Sequence, residues 1–123
     1  MLKCGLKYES RVEVSASNTA LSIGSGDMEV FATPAMAALM ENAAMCAVAE
    51  FLPEGSTTVG TQLNISHVKA SPVGAKITAE AELVAMEGRR LEFKVVAYDE
   101  KGMIGEGEHT RFVVDRERFL AKL

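Results

Sequence analysis

The chain has 123 residues, 48% of them apolar, and a formal net charge of −4 at pH 7. That length suits one domain spanning residues 1–123, and an acidic balance with no basic run argues against nucleic acid as a partner. No apolar stretch reaches the roughly 18 residues that span a bilayer. The two cysteines, Cys4 and Cys46, give no disulfide framework, and the first residues carry no long apolar leader. Together these features read as a cytoplasmic protein.

In chain order, Lys7 to Ser15 alternates loosely through Tyr8, Val12 and Val14 and reads as a strand. Asn18 to Asp27 is rich in Ser and Gly and reads as a loop, and Met28 to Phe31 as a short extended piece. Pro34 to Phe51 reads as one long helix. Thr33 suits its N-cap and Pro34 its first helical position, while Pro53 and Gly55 stop it. The run Met36-Ala-Ala-Leu-Met-Glu-Asn-Ala-Ala-Met-Cys-Ala-Val-Ala is apolar almost all round, which predicts burial on nearly every side.

Four strands follow. Val59 to Lys69 puts Val59, Thr61, Leu63, Ile65 and His67 on one face by alternation, and Ala75 to Glu87 does the same with Ile77, Ala79, Ala81, Leu83 and Ala85. Leu91 to Tyr98 groups Leu91, Phe93, Val95 and Ala97, and Gly105 to Val114 closes the set. Glu87-Gly-Arg-Arg and Asp99-Glu-Lys-Gly suit turns between antiparallel strands. A short helical tail, Arg116 to Leu123, ends the chain. A helix so apolar needs a sheet curled about it, so the expected class is α+β: a hotdog fold, with a long central helix wrapped by a curved antiparallel sheet. Hotdog domains pair side by side, with active sites between subunits.

The candidate chemistry is sparse and specific. Glu41 sits in the middle of the apolar helix, where a carboxylate is costly unless it is paired or working. The bland alternative is an acid at the helix edge that meets an arginine or solvent. Asn42 is a second polar residue in the same setting. Thr33 reads as a cap, or as a hydroxyl that holds a substrate oxygen at a helix N-terminus. His67 reads as a satisfied core histidine, or as a general base or donor to a carbonyl. His109, among Glu106, Glu108 and Arg111, reads as a partly exposed strand residue. Gly60 interrupts a strand, which marks a bulge or a close backbone approach. Gly24 to Gly26 has no phosphate-binding frame, and two separate His and two distant Cys give no metal site.

At this point the chain resembles a family. Val30-Phe-Ala-Thr-Pro-Ala-Met-Ala-Ala-Leu-Met-Glu, followed by Val59-Gly-Thr and Ile65-Ser-His, is similar to the hotdog acyl-CoA thioesterases related to fluoroacetyl-CoA thioesterase. The likeness continues through Val84-Ala-Met-Glu-Gly-Arg-Arg-Leu and Ile104-Gly-Glu-Gly-Glu-His-Thr-Arg and covers about residues 28 to 120. The resemblance implies that the family's catalytic threonine, glutamate and histidine fall on Thr33, Glu41 and His67, and its acyl-contacting glycine on Gly60. Phe31, Asn42, Arg89 and Arg90 complete the expected substrate-binding set. One departure stands out. The fluoroacetyl-specific enzyme has aromatic lid residues before the helix, whereas Asn18 to Glu29 holds no Phe, Tyr or Trp. The scaffold and the three polar residues carry over; fluoroacetate selectivity does not.

The expected activity is therefore hydrolysis of an acyl-CoA thioester, with no cofactor and CoA entering only as part of the substrate. Lys69, Lys76, Arg89 and Arg90 are the candidates to meet its phosphates. The alternatives are a hotdog dehydratase on a hydroxyacyl thioester and a binding protein that sequesters acyl-CoA without turnover. A homodimer or higher oligomer is expected, because the domain is small and its helix so apolar. Thr33 and Glu41 lie eight residues apart on one helix, about 12 Å along its axis, too far for direct contact. The expected site is composite, with Glu41 from one chain and Thr33 from its partner.

Overall fold

The computed structural model describes all residues, Met1–Leu123. In chain order the elements are β1 (Lys7–Glu13), α1 (Ala20–Ile23), α2 (Thr33–Ala49), β2 (Ser56–His67), β3 (Lys76–Glu87), β4 (Arg90–Asp99), β5 (Gly102–Asp115) and α3 (Arg116–Ala121). The strands form one antiparallel sheet in the order β1-β3-β4-β5-β2. Hairpins join β3 to β4 and β4 to β5, as the turn residues predict; Gly88 takes φ 58°, the left-handed backbone that a two-residue turn requires. The helix α2 carries the chain from one edge of the sheet to the other. This is the expected α+β hotdog layout.

The core lies between α2 and the inner face of the sheet. Met36, Met40, Ala43, Ala44, Ala47 and Val48 face Ile77, Ala79, Ala81, Leu83, Leu91, Phe93, Val95 and Ala97, all buried. Alanines on both surfaces let helix and sheet approach closely, and Met36 and Phe93 fill the remaining space. Emptying such a position, as in Met36→Ala, typically costs about 2–5 kcal/mol.

Several expectations change at this level. The helix is not buried all round: Pro34, Ala38, Asn42, Met45 and Ala49, spaced three or four apart, form an exposed stripe. The curl of five strands covers one side of α2 and leaves the other bare. Thr33 is the first helical residue rather than the cap; Ala32 is the N-cap and makes no side-chain cap bond. The loop from Asn18 contains the short helix α1, capped by Thr19.

Two β-bulges also overturn the simple alternation. In β2 the register shifts between Gly60 and Gln62, so Thr58 and Gly60, not Val59 and Thr61, share the inner face with Leu63, Ile65 and His67. In β3 it shifts between Leu83 and Ala85, and Ala85 moves to the outer face opposite Glu92. An extra residue changes the parity of every side chain on one side of it.

Candidate active site

The side chains singled out in the sequence gather at two places in one chain. The first is the start of α2. Thr33 Oγ1 lies 2.8 Å from His67 Nδ1, joining the first residue of α2 to the last residue of β2. This bond explains why the threonine does not cap: its hydroxyl is already engaged. With no side-chain cap on the helix, the N–H groups of Thr33 and Ala35 remain available at the positive end of the α2 dipole. His67 Nε2 is buried and has no hydrogen-bond partner, an unusual state for a buried polar atom. Burial holds the His67 pKa below its ordinary value, which keeps the ring neutral at pH 7. Phe31 meets this ring edge-on, with centroids 6.5 Å apart at 78°. Thr33, His67, Phe31, Val30 and Lys69 line a cavity of about 290 Å³.

The second place is the inner face toward the other end of β2, around Gly60. Glu41 reaches toward Gly60, His109 and Arg111. A Cβ built on Gly60 would stand 2.9 Å from Glu41 Oε2, 3.1 Å from His109 Cε1 and 3.2 Å from Arg111 Nη1. The glycine is thus the floor of a cup with three polar walls, the close approach that its place in a strand suggested. His109 is 1% exposed, not partly exposed as its charged neighbours implied. Its Nδ1–H donates to the Gln62 carbonyl at 2.8 Å, and because a carbonyl only accepts, the proton is fixed on Nδ1. The bare Nε2 accepts from Arg111 Nη1 at 3.1 Å. Arg111 Nε and Nη2 donate to Oγ1 and the carbonyl of Thr58 at 2.8 and 3.0 Å. Burial lowers the pKa of His109, and the charge of Arg111 pushes the same way. Burial also lowers that of Arg111, while Glu41 opposes it. Glu41 Oε2 is 3.9 Å from His109 Nε2, beyond hydrogen-bond range.

The carboxylate of Glu41 is 44% exposed in one chain. The buried acid expected from the apolar helix is therefore not buried in a single chain. The other expected contacts are scattered. Asn42 Oδ1 accepts from Ser10 Oγ at 2.7 Å and ties α2 to β1, away from both clusters. Arg89 lies in the β3–β4 turn and Arg90 opens β4, at the Gly60 end of the sheet, and Arg90 pairs with Glu92 at 3.3 Å. Lys69 borders the Thr33 cavity, with its ammonium 3.2 Å from Asp99. No three His, Cys, Asp or Glu side chains gather to hold a metal ion.

His109 and Arg111 are the residues that sequence reasoning missed. The signal was present: Gly105, Gly107, His109 and Arg111 alternate strictly with Glu106, Glu108 and Thr110. A Cβ on Gly105 would meet Met36 Cε and Sδ at 2.7 Å, so this face packs directly beneath α2.

Comparison with known proteins gives a consistent picture. Residues 14–117 match the family model described as fluoroacetyl-CoA-specific thioesterase. The chain is 44% identical over 95 residues to the fluoroacetyl-CoA thioesterase of Streptantibioticus cattleyicolor, covering 77% of this chain and 68% of that protein. A crystal structure of a fluoroacetyl-CoA thioesterase superposes with TM-score 0.92 at 35% identity, over 99% of this chain and 95% of the other. Variants of that enzyme have been solved with fluoroacetate and CoA and with acetyl-CoA. A thioesterase superfamily member from Thermus thermophilus superposes with TM-score 0.91 at 25% identity, over 99% and 90% of the two chains.

Proposed function

The chain belongs to the fluoroacetyl-CoA-specific thioesterase family, and from that premise we propose that it hydrolyses a short-chain acyl-CoA to the free acid and CoA. The observation that carries this reading is the bond of 2.8 Å between Thr33 Oγ1 and His67 Nδ1 on the wall of a cavity. A hydroxyl within hydrogen-bond reach of a neutral imidazole is a nucleophile paired with its base. Thr33 Oγ1 attacks the thioester carbonyl carbon as His67 Nδ1 takes its proton. The oxyanion is held by the free N–H groups at the start of α2. Collapse breaks the carbon–sulfur bond, and His67 returns the proton to the departing thiolate. Water, deprotonated by a Glu41 carboxylate, then attacks the acyl carbon; the bond to Thr33 Oγ1 breaks, the proton held by Glu41 passes to Oγ1, and the free acid leaves.

The glutamate comes from a second subunit. In one chain Gly60 and His67 are six ladder steps apart on β2, since their partners on β5 are Arg111 and Gly105; that is about 20 Å. Glu41 belongs to the Gly60 end. The strand β2 is an edge of the sheet, twelve residues long without one charged residue or proline, whereas β1, the other edge, carries Lys7, Glu9, Arg11 and Glu13. Edges that stay unpaired are normally blunted by charge, so β2 is suited to pair with its own copy. A twofold axis through Asn64, three steps from each end, would set Gly60 opposite the partner's His67. Both lie on the inner face only because the bulge removes one residue from the count. Such a dimer would bring Glu41 beside the partner's Thr33 and reduce its exposure. Arg89 and Arg90, at the same end, would be available to the CoA phosphates.

The test is an acid quench of Glu41→Gln with acetyl-CoA, followed by mass mapping. An acetyl group on Thr33 is expected; no adduct, with Thr33→Ala still active, would remove Thr33 as nucleophile. Release of no thiol by the wild type from any acyl-CoA would leave a binding protein.

A further inference from the structure

Two cavities of different character meet at a single side chain. The first is the 290 Å³ cavity that holds Thr33 and His67. The second is a groove of about 420 Å³ on the β1 side of the start of α2, lined by Val12, Ile23, Pro34, Ala38 and Leu39 among others. Phe31 is the residue that lines both. Its side chain is 2% exposed and stands edge-on against the His67 ring. Its backbone is held from two sides: the N–H donates to the Ser71 carbonyl at 2.9 Å, and the residue pairs with Thr19 in an isolated bridge. The ring is therefore a fixed wall. On one side stand the hydroxyl and the imidazole; on the other, mostly aliphatic side chains, with Asn18 and Asn42 as the polar members.

An acyl group attacked by Thr33 Oγ1 would lie in the cavity that Phe31 walls. We propose that Phe31 is the partition that sets acyl-chain length, and that the groove behind it is a latent extension able to take a saturated acyl tail. The inference rests on reading the Thr33–His67 cavity as the acyl site. It differs from a lid: the barrier is a core side chain held by β-type backbone bonds, and the groove already exists. Removing the ring would join the two spaces, and each methylene entering the groove would leave water for an apolar surface.

The experiment compares wild type, Phe31→Leu, Phe31→Ala and the double variant Phe31→Ala/Ala38→Phe, each with acetyl- and octanoyl-CoA. Affinity for the corresponding ethyl and octyl thioethers of CoA is measured alongside. The wild type is expected to favour the short chain. Phe31→Ala should raise the octanoyl-to-acetyl ratio of kcat/KM, and the matching affinity ratio, by tenfold or more. Phe31→Leu, which keeps most of the volume and spares the fold if the alanine variant is unstable, should shift both ratios in the same direction by a smaller factor. Ala38→Phe fills the groove from an exposed helix position and should cancel the gain. Unchanged ratios in both single variants, or a wild type that binds the octyl and ethyl thioethers equally, would overturn the partition. A wild type that binds the thioethers with the expected preference yet releases no thiol would instead overturn the thioesterase reading and leave the partition standing.

Discussion

His67 and His109 lie on adjacent strands, on the same inner face of the sheet, four ladder steps apart. Burial lowers the pKa of both. Yet His109 has both nitrogens engaged, by the Gln62 carbonyl and Arg111, whereas His67 holds Thr33 with one and leaves the other buried without a partner. The difference separates two kinds of histidine, one fully buried and one half-buried. A ring with a fixed tautomer and two satisfied nitrogens is a strut: it steadies Arg111 and the cup around Gly60. A ring bonded to a hydroxyl, with an orphan nitrogen beside a cavity, has capacity left for a substrate. A lowered pKa does not distinguish them; the count of satisfied nitrogens does.

The comparison can be broken most decisively by mixing subunits, because the two histidines mark the ends proposed to join only across a dimer. Thr33→Ala, which removes the nucleophile, and Glu41→Ala, which removes the base for water, should each be nearly inactive, the latter down by about 10²–10⁴. After verified exchange the heterodimer should regain one working site. No recovery would place both groups in one chain. Oxidised Asn64→Cys should also form a covalent dimer, while Ser66→Cys, away from the proposed axis, should not.

The next effect in size contrasts the rings themselves. His67→Ala should lower kcat by about 10²–10⁴ with little change in Tm. His109→Ala should lose stability first, because it strands a carbonyl and an arginine N–H at about 1–3 kcal/mol each. His109→Gln, which offers an amide donor and acceptor, should recover part of that loss. If His109→Ala keeps its Tm and loses turnover as His67→Ala does, the strut is catalytic. Gly60→Ala is expected to be milder: its Cβ would stand 2.9 Å from the flexible end of Glu41, but also 3.1 and 3.2 Å from the pinned side chains of His109 and Arg111, so Tm should fall slightly while kcat falls about tenfold.

The smallest effect is the pH response, which both histidines share. Each is held below its ordinary value, so the unfolded chain binds more protons than the folded one as pH drops through about 6.5. Their contribution to stability should be complete above that pH and decline below it. The acid limb of kcat/KM, which reports neutral His67, should likewise lie below about 6.5. His67→Gln should abolish that limb, while His109→Gln should leave it in place.

The sequence by itself determined the elements and much of the chemistry. A long alanine-rich helix followed by four alternating strands requires a sheet curled about the helix, and the spacing of Thr33, Glu41 and His67 carried the family likeness. Those features are local or rest on fixed spacing, so a linear reading reaches them. What escaped it depends on three dimensions. The bulges at Gly60 and Val84 shift side-chain parity through the pairing of whole strands, which no window of residues contains. Thr33 looked like a cap because its competing partner, His67, is 34 residues away. His109 looked exposed because glutamates surround it in sequence, although alternation sends them to the opposite face. That Glu41 is 44% exposed in the chain also escaped the helix pattern, since the sheet covers only one side of α2 and desolvation depends on what packs against the carboxylate.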